Sequence, residues 1–342
     1  MATETTSGKG LALLQAEMAR QGADAIASLT GNEAMAAELA ASIMRTGRLV
    51  LIGMGASHYA NRMAETSWRR LGVDCRAETA GDVLLQDLPA QARTLVLVSQ
   101  SGESGEILQL LDLLPPGADL FGMTLAPQST LGLSLRCLVG VGGQEVAFAA
   151  TRSLTITLAL HAAVLAAAGG EIGSFAATLA ASRQSALEEA VEALAQKNSV
   201  IIAGRGELRG LAEANGLMLM ELARIPAFGF EFGQFRHGPL EALAPDLGVL
   251  LLRGPGALGA GTATLARAAL GAGTVPVIFD CSGEAPIEGA VTVAFSSNEG
   301  LSAVAAMLPA LQKLIIAVSS RKVAGVGEPV RSTKITGIDH EA

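Results

Sequence analysis

Aromatic and charged residues are scarce in this 342-residue chain. Phe, Tyr and Trp together make up 3% of the residues and Asp, Glu, Lys and Arg 16%, while half of the chain is apolar. Lys and Arg number 24 against 32 Asp and Glu, so the formal net charge is −8, with no concentrated basic segment. Because nucleic acids and anionic membranes are bound mainly through basic side chains, neither is an expected partner. The high apolar content excludes intrinsic disorder.

Cysteine is also scarce, with three residues far apart at Cys75, Cys137 and Cys281. An odd number of cysteines outside any CxxC pattern predicts neither a disulfide framework nor a zinc site. The N-terminus lacks the basic and apolar regions of a secretory signal. The most apolar window, residues 154–168, is shorter than the ~20 residues that span a bilayer and predicts a buried helix. We therefore expect a cytoplasmic protein with reduced cysteines.

The apolar pattern predicts an α/β fold built from two similar halves. Residues 11–45 have helical periodicity, with a hinge near Gly31. Four apolar runs typical of buried strands follow. An Ala-rich helical segment, residues 173–196, separates them from four further runs. The first runs of the two halves end in Gly53-Met54-Gly55 and Gly204-Arg205-Gly206, 151 residues apart. Two copies of one unit explain this recurrence. The predicted strands are residues 48–53, 94–98, 120–124 and 135–141, then 199–204, 248–252, 275–280 and 290–295.

Two segments that follow predicted strands could bind an anion. Gly53 to His58 opens a helix, although His58 replaces the third glycine of a dinucleotide fingerprint and the segment is equally explained as an ordinary turn. Ser99-Gln100-Ser101-Gly102-Glu103-Ser104 is the stronger candidate. Three hydroxyls, one amide and the free N–H groups of a helix start suit a phosphate dianion, whereas a simple helix cap needs a single serine. Thr151 and Ser153, beside Arg152, either cap the next helix or line the same pocket.

The remaining candidates are acid–base groups and a lysine. Glu221 ends an apolar helical run, where burial would raise its pKa and suit it to proton abstraction beside a carbonyl. His237 lies in a loop bounded by Gly238 and Pro239, and an imidazole suits the opening of a sugar ring. Lys334, near the end of the chain, could fold over a pocket as an amine or a cation. Taken alone, these three residues are better explained as an exposed helix residue, a loop histidine that forms hydrogen bonds and a solvated tail lysine.

Four segments, residues 53–58, 99–104, 221–240 and 328–337, resemble in this order the sugar isomerase (SIS) family in its tandem form, above all the isomerase half of glucosamine-6-phosphate synthase and related aminosugar-phosphate deaminases. The Ser-Gln-Ser-Gly-Glu-Ser and Arg-His-Gly-Pro segments are its most specific features. The resemblance implies two SIS domains, each a five-stranded parallel sheet flanked by helices in a flavodoxin-like three-layer sandwich, packed as a pseudo-dimer that dimerises again. The expected boundaries are residues 1–45 for N-terminal helices, 46–172 and 173–322 for the two domains, and 323–342 for a tail.

The resemblance also implies residue roles. Glu221 matches the glutamate that moves the proton between C1 and C2 of the sugar. His237 matches the ring-opening histidine, which the neighbouring subunit of a homodimer contributes. Lys334 matches the tail lysine that forms a Schiff base with the open-chain ketose. No metal or organic cofactor is implied. The positions that match the phosphate site are Ser57, Ser99, Gln100, Ser101 and Ser104, with Gly55, Ala56 and Thr151 in the substrate pocket.

Three departures from the family point to a remodelled pocket. Met218 stands where the synthase has a second lysine, Ala56 replaces a threonine and Ala150 replaces a serine. We also expect no glutaminase domain, because no N-terminal cysteine nucleophile is present.

Three functions follow from these observations. The first is isomerisation and deamination of a 6-phospho-aminosugar such as glucosamine 6-phosphate. The alternatives are a deglycase that releases an amino acid from a fructosamine 6-phosphate, and a phosphosugar sensor that binds without turnover. Against the sensor, the sequence contains no helix-turn-helix or basic extension.

Overall fold

Two parallel five-stranded sheets form the framework of the computed structural model, which describes residues 8–85, 91–114, 119–181 and 186–337. The strand order is β2-β1-β3-β4-β5 in the first sheet and β7-β6-β8-β9-β10 in the second, the flavodoxin-like order in both. The strands are β1 (Arg48–Gly53), β2 (Asp74–Thr79), β3 (Thr94–Val98), β4 (Asp119–Thr124), β5 (Arg136–Val139), β6 (Ser199–Gly204), β7 (Ala227–Glu231), β8 (Leu247–Arg253), β9 (Val277–Asp280) and β10 (Val291–Ala294).

Helices cover the sheets and pack between them. The α-helices are α1 (Lys9–Thr30), α2 (Glu33–Thr46), α3 (Gly55–Arg70), α4 (Ala80–Leu84), α5 (Gly105–Leu113), α6 (Thr130–Ser134), α7 (Arg152–Ala167), α8 (Phe175–Ala180), α9 (Glu188–Ala195), α10 (Glu207–Leu222), α11 (Phe232–Arg236), α12 (Thr262–Gly271) and α13 (Gly300–Ser320). Short 3₁₀ helices span Pro239–Ala242 and Gly256–Leu258. The predicted hinge near Gly31, between α1 and α2, is confirmed.

The eight predicted strands are confirmed, but β2 and β7 were missed. Each is an edge strand that pairs only with the first strand of its half, β1 or β6. An edge strand is covered less completely than a central one, so β2 alternates polar and apolar residues, and β7 exposes Phe228 and contains Gly229. A search for continuous apolar runs finds central strands and passes over such edges.

The prediction of one helix over residues 173–196 is wrong for the described residues. α8 ends at Ala180, Ala181 has non-helical backbone angles, and residues 186 and 187 precede α9 outside any helix. α8 packs on α1 and α13, whereas α9 packs on α13, β8 and β10. One straight helix could not make both sets of contacts.

An antiparallel pair of helices, α3 and α10, joins the two halves. Arg62 on α3 forms an ion pair with Glu213 on α10 at 3.0 Å, and these positions are 151 residues apart, the same offset as the two Gly-x-Gly turns. Corresponding positions therefore face each other near the middle of the pair. As a consequence, the end of α10 lies at the start of α3, and the end of α3 lies at the start of α10, where Arg70 reaches Glu207.

Two apolar helices run through the core. α7, predicted as a buried helix, is buried from Arg152 to Leu165. α13 is long and apolar enough to cross a membrane by length and composition, but 78% of its most apolar window is buried inside the fold. α13 packs against α8, α9 and α10, as a core helix does.

Candidate active site

A cavity of about 310 Å³ lies where the two halves meet, at the start of α3 and the end of α10. Its wall also includes the loop after β3, the segment that leads into α7 and the C-terminal segment. The lining residues are Met54, Gly55, Ala56, Ser57, Gln100, Ser101, Ser104, Glu106, Gln144, Glu145, Phe148, Ala150, Leu217, Glu221, Ser332, Thr333, Lys334, Ile335 and Thr336. The cavity therefore brings together residues of all four segments singled out in the sequence, although His237 of the third segment is not among them.

The serine-rich loop runs from the end of β3 to the first turn of α5. Ser101 and Ser104 line the cavity. Ser104 occupies the N-cap position, yet within the described residues its side chain makes no capping hydrogen bond, and its Oγ lies 3.0 Å from Ser99 Oγ. Gly102 has φ +70°, and a Cβ there would lie 1.8 Å from Ser129 Oγ, so no larger residue fits. The loop thus presents hydroxyls and helix N–H groups together, which favours anion binding over a simple cap.

Ser99 and Gln100 have different roles in this loop. Ser99 is 1% exposed and lies behind the cavity wall, where its Oγ accepts a hydrogen bond from Gly102 N at 3.1 Å and shapes the turn. Gln100 Oε1 lies 2.7 Å from Ser153 Oγ, while its buried Nε2 finds no acceptor among the described residues. If the amide were turned over, the oxygen would be the free end instead, so one polar atom of Gln100 is available to a ligand.

The turn after β1 forms the wall near the start of α3. Gly55 has φ +50°, Ala56 follows it, and Ser57 is 7% exposed in the first turn of the helix. All three line the cavity. Ser57 therefore lies on the same cavity as the serine-rich loop, as the resemblance implied.

Glu145 is the residue at this site that the sequence analysis missed. It is 3% exposed, and Oε1 accepts hydrogen bonds from Thr151 Oγ1 at 2.6 Å and from the N–H groups of Thr151 and Arg152 at 3.0 and 2.9 Å. Its Oε2 contacts Ser153 Oγ. The carboxylate thus caps the N-terminus of buried α7. A signal for it existed, since this acidic residue stands alone in a Gly- and Ala-rich stretch six residues before Thr151.

Thr151, predicted to line the pocket, is fully buried behind it. Its hydroxyl and N–H are both used by Glu145, and it is the N-cap residue of α7. Neither interpretation describes these hydroxyls: Thr151 and Ser153 do not line the cavity, and the Thr151 side chain makes no capping hydrogen bond. Both hydroxyls bind Glu145, whose carboxylate faces the cavity.

Glu221 lies in the last turn of α10 and faces the cavity. Burial raises the pKa of Glu221 to about 7, with nearby Glu145 acting in the same direction and Lys334 opposing them. A carboxyl group with this pKa is divided between its two protonation states at neutral pH. It can therefore both accept and return a proton.

Lys334 reaches the cavity from the C-terminal segment. Its Nζ lies 3.4 Å from Glu145 Oε2, and its side chain is 30% exposed. The segment is attached to the first half because Gly105 N, at the start of α5, donates a hydrogen bond to Thr336 O at 3.1 Å. Arg224, at the end of α10, donates to Glu328 O at 2.8 Å. These contacts hold the lysine over the cavity.

His237 lies elsewhere. It is exposed, follows α11, and its N–H donates to Gln234 O. It does not line the cavity within its own chain.

Of the departures from the family pattern, Met218 is 5% exposed and Ala150 lines the cavity. No cluster of three metal-binding side chains occurs in the part of the chain that the structure describes.

Comparison with known proteins places this geometry in context. No protein-family model matches the chain. Over 231 residues it is 28% identical to the glutamine--fructose-6-phosphate aminotransferase of Gloeobacter violaceus, a match that covers 61% of this chain and 38% of that protein. The chain thus spans about two fifths of the length of that relative.

Solved structures resemble nearly the whole chain. The C-terminal domain of the Francisella tularensis glucosamine-fructose-6-phosphate aminotransferase has a TM-score of 0.77 at 18% identity, covering 93% of this chain and 98% of that one. The Escherichia coli tagatose-6-phosphate ketose/aldose isomerase has a TM-score of 0.76 at 17% identity, and the match covers 94% of this chain and 97% of that one. The chain has the fold of phosphosugar isomerases. The Thermotoga maritima glucosamine-6-phosphate deaminase has a TM-score of 0.69 at 18% identity, and the match covers 92% of this chain and 100% of that one.

Proposed function

We propose that this protein is a phosphosugar isomerase and deaminase that acts on a 6-phospho-aminosugar such as glucosamine 6-phosphate. One observation carries the proposal: a single cavity combines an anion-binding loop, a carboxyl group with a pKa of about 7 and a lysine amine. The named activities of the similar proteins support it. The proposal also treats the two sheets as tandem SIS domains, with the boundaries expected from the sequence.

In this proposal the phosphate is held by Ser57, Ser101, Ser104 and the N–H groups of the first turn of α5 that follow Gly105, whose own N–H is used by Thr336. The free polar atom of Gln100 binds a sugar hydroxyl. With the phosphate fixed, the C1–C2 end of the open-chain sugar reaches Glu221, which takes the proton from C2 and returns it to C1. Such a positioned base contributes ~10²–10⁴-fold to a rate.

Lys334 acts at the same end of the substrate. Its amine forms a Schiff base with an open-chain ketose or stabilises a developing oxyanion there. For an aminosugar, proton transfer converts the amine at C2 into an imine. Water then adds to the imine, the C–N bond breaks, the water oxygen stays on the sugar as a carbonyl, and nitrogen leaves as ammonia.

Ring opening is assigned to His237 of a second copy of the chain. Because His237 is exposed and lies off the cavity of its own chain, it is available to an adjacent cavity. The proposal therefore includes a homodimer in which each copy completes the site of the other.

The first experiment incubates the purified protein with glucosamine 6-phosphate and measures fructose 6-phosphate and ammonia together. We expect equal release of both products, with at least a hundredfold loss of rate in Lys334→Ala. Lys313→Ala, which removes an exposed lysine of α13, is the matched control and is expected to keep the wild-type rate. Stabilisation by the sugar phosphate without either product, at any enzyme concentration, would contradict the proposed reaction and favour a sensor.

A further inference from the structure

Glu145 and Lys334 form an ion pair at the wall of the candidate active site, with 3.4 Å between Glu145 Oε2 and Lys334 Nζ. The cavity is lined by three carboxylates, those of Glu106, Glu145 and Glu221. Lys334 is the one cation among its lining residues, all of which belong to the described part of the chain. Because Lys334 also acts electrostatically on Glu221, the carboxylate with which it pairs decides the state of the proposed base.

Glu145 presents its carboxylate in a fixed position. Oε1 accepts hydrogen bonds from Thr151 Oγ1 and from the N–H groups of Thr151 and Arg152, and Oε2 contacts Ser153 Oγ. All these partners can donate, which suits an ionised carboxylate because it only accepts hydrogen bonds. Since the start of α7 already orders this anion, an ion pair with Lys334 restricts the lysine side chain alone.

Among the described residues, Glu221 forms no ion pair with Lys334, although the two charges interact. Burial raises the pKa of Glu221 to about 7, while Lys334 acts to lower it and Glu145 to raise it. Direct pairing with the lysine would favour the ionised form of Glu221 and weaken it as a base. The ion pair with Glu145 therefore leaves Glu221 able to accept and return a proton at neutral pH. The other charged side chains that share a cavity with Glu221 are those of Glu106, Arg224 and Arg331.

We propose that Glu145 is a positioning residue that holds the charged amine of Lys334 at the cavity wall and away from a direct pair with Glu221, so that base and cation act on the substrate together. This inference rests on the proposed function and adds to it a residue that acts through Lys334. Glu221 moves the proton, and the amine stabilises the negative charge that develops on the neighbouring substrate oxygen. Glu145 itself exchanges no proton with the substrate.

The first test is Glu145→Gln, which keeps the shape of the side chain and removes its charge. At pH 8 we expect kcat to fall at least tenfold, because the cation is no longer held in place. KM should change less than threefold, because the serine-rich loop is intact. The acidic limb of the pH profile of kcat/KM should move from about pH 7 to lower pH, by about one unit, because Lys334 is then free to pair with Glu221.

Glu17→Gln is the matched control. Glu17 is a 5% exposed carboxylate on α1 that accepts a hydrogen bond from Val146 N at 2.9 Å and pairs with Arg152, so it supports the same helix start. It does not line the cavity. We expect Glu17→Gln to lower the free energy of unfolding, as Glu145→Gln does, but to keep kcat within twofold of the wild type and the acidic limb at about pH 7. Equal shifts of the limb in both variants would overturn the inference.

A double variant tests whether Glu145 acts through Lys334. The kcat of Glu145→Gln combined with Lys334→Ala should be no lower than that of Lys334→Ala, because the group that Glu145 positions is already absent. Losses that multiply would show a role in structure alone and would overturn the inference, as would wild-type kcat in Glu145→Gln. If Glu145→Gln does not fold, Glu145→Asp keeps the charge at α7 but withdraws it by one methylene, and wild-type kcat in that variant would be equally decisive.

Urea unfolding provides a readout that needs no turnover. In protein that carries Glu145→Gln, the effect of Glu221→Gln on stability should change about half as much between pH 5 and pH 8 as it does in the wild-type background, because the pKa of Glu221 is lower. An unaltered pH dependence would overturn the inference whether or not a sugar phosphate is turned over. Absence of product from every sugar phosphate, with the reduced pH dependence observed, would contradict the proposed function and leave the ion-pair assignment in place.

Discussion

The two ends of the α3–α10 pair occupy corresponding positions in the two halves but differ in how a carboxylate is held. At one end, called the filled end, the carboxylate is paired with an arginine, and at the other, the open end, it faces the active-site cavity. At the filled end, Arg70 pairs with Glu207, and Ser67 Oγ donates to the same carboxylate at 2.8 Å, leaving Glu207 fully buried. At the open end, Glu221 occupies the position that corresponds to Arg70, and Ala56 occupies the position that corresponds to Glu207, each 151 residues away in the sequence. A small residue leaves space there, and Glu221 has no arginine at the facing helix start.

The loops after the third strands differ in the same way. The loop after β3 supplies the hydroxyls of Ser101 and Ser104 to the cavity. After β8 the chain reads Gly254-Pro255-Gly256-Ala257-Leu258, and Leu258 packs close to Gly206, while Arg253 is held by Asp280 and Glu284. One framework therefore carries a cavity lined by hydroxyl groups in the first half and paired charges in the second.

The largest expected effect is on catalysis at the open end. Glu221→Gln keeps the shape of the side chain but removes the base, and we expect kcat to fall about a thousandfold. Steady-state assays with the best substrate measure this. The control Glu192→Gln alters an exposed carboxylate on α9 and is expected to keep the wild-type rate. A Glu221→Gln enzyme with unchanged turnover would contradict the assigned base.

The same residue should make stability depend on pH. Burial raises the pKa of Glu221 to about 7 from an ordinary value of 4.5. Between pH 4.5 and about pH 7, the unfolded chain therefore binds fewer protons than the folded protein. The stability contributed by the protonated group is present below about pH 4.5 and is lost as the pH rises through about 7.

Comparison of urea unfolding for the wild type and Glu221→Gln at pH 5 and pH 8 tests this. The variant should gain relative stability at the higher pH, by as much as about 3 kcal/mol. A difference that is independent of pH would show that Glu221 has an ordinary pKa.

At the filled end, the expected effect is on stability alone. Arg70→Ala leaves the buried carboxylate of Glu207 without its cation, and we expect the free energy of unfolding to fall by ~2 kcal/mol. Arg76→Ala, which removes an exposed partner of Asp74, is expected to cost less than ~0.5 kcal/mol. Urea denaturation measures both. Loss of kcat in Arg70→Ala enzyme that is still folded would show that the two ends are not functionally distinct.

The smallest expected effect concerns substrate binding. Ser104→Ala removes one hydroxyl from the anion-binding loop and should raise KM about tenfold, equivalent to ~1.4 kcal/mol, with a smaller change in kcat. Ser282→Ala, after β9 in the second sheet, is the control and should leave KM unaltered. Equal KM values for Ser104→Ala and the wild type would remove Ser104 from the phosphate site.

The parts of the fold that could be predicted are those with a local signature. Central strands appear as continuous apolar runs, and the serine-rich loop combines hydroxyls with a helix start in six residues. Edge strands β2 and β7 carry mixed patterns and were missed. Glu145 was missed for another reason, because the contact that joins it to the catalytic candidates is with Lys334, 189 residues away along the chain.

The sequence by itself determined the α/β class, the duplication with its offset of 151 residues, and the residue types for anion binding and proton transfer. Only the tertiary structure decided which of these residues share a cavity. The antiparallel packing of α3 and α10 brings Glu221 to the start of the opposite half, and the C-terminal segment brings Lys334 to Glu145. Such long-range contacts depend on how helices pack and what space they leave, and neither is encoded in any short stretch of residues.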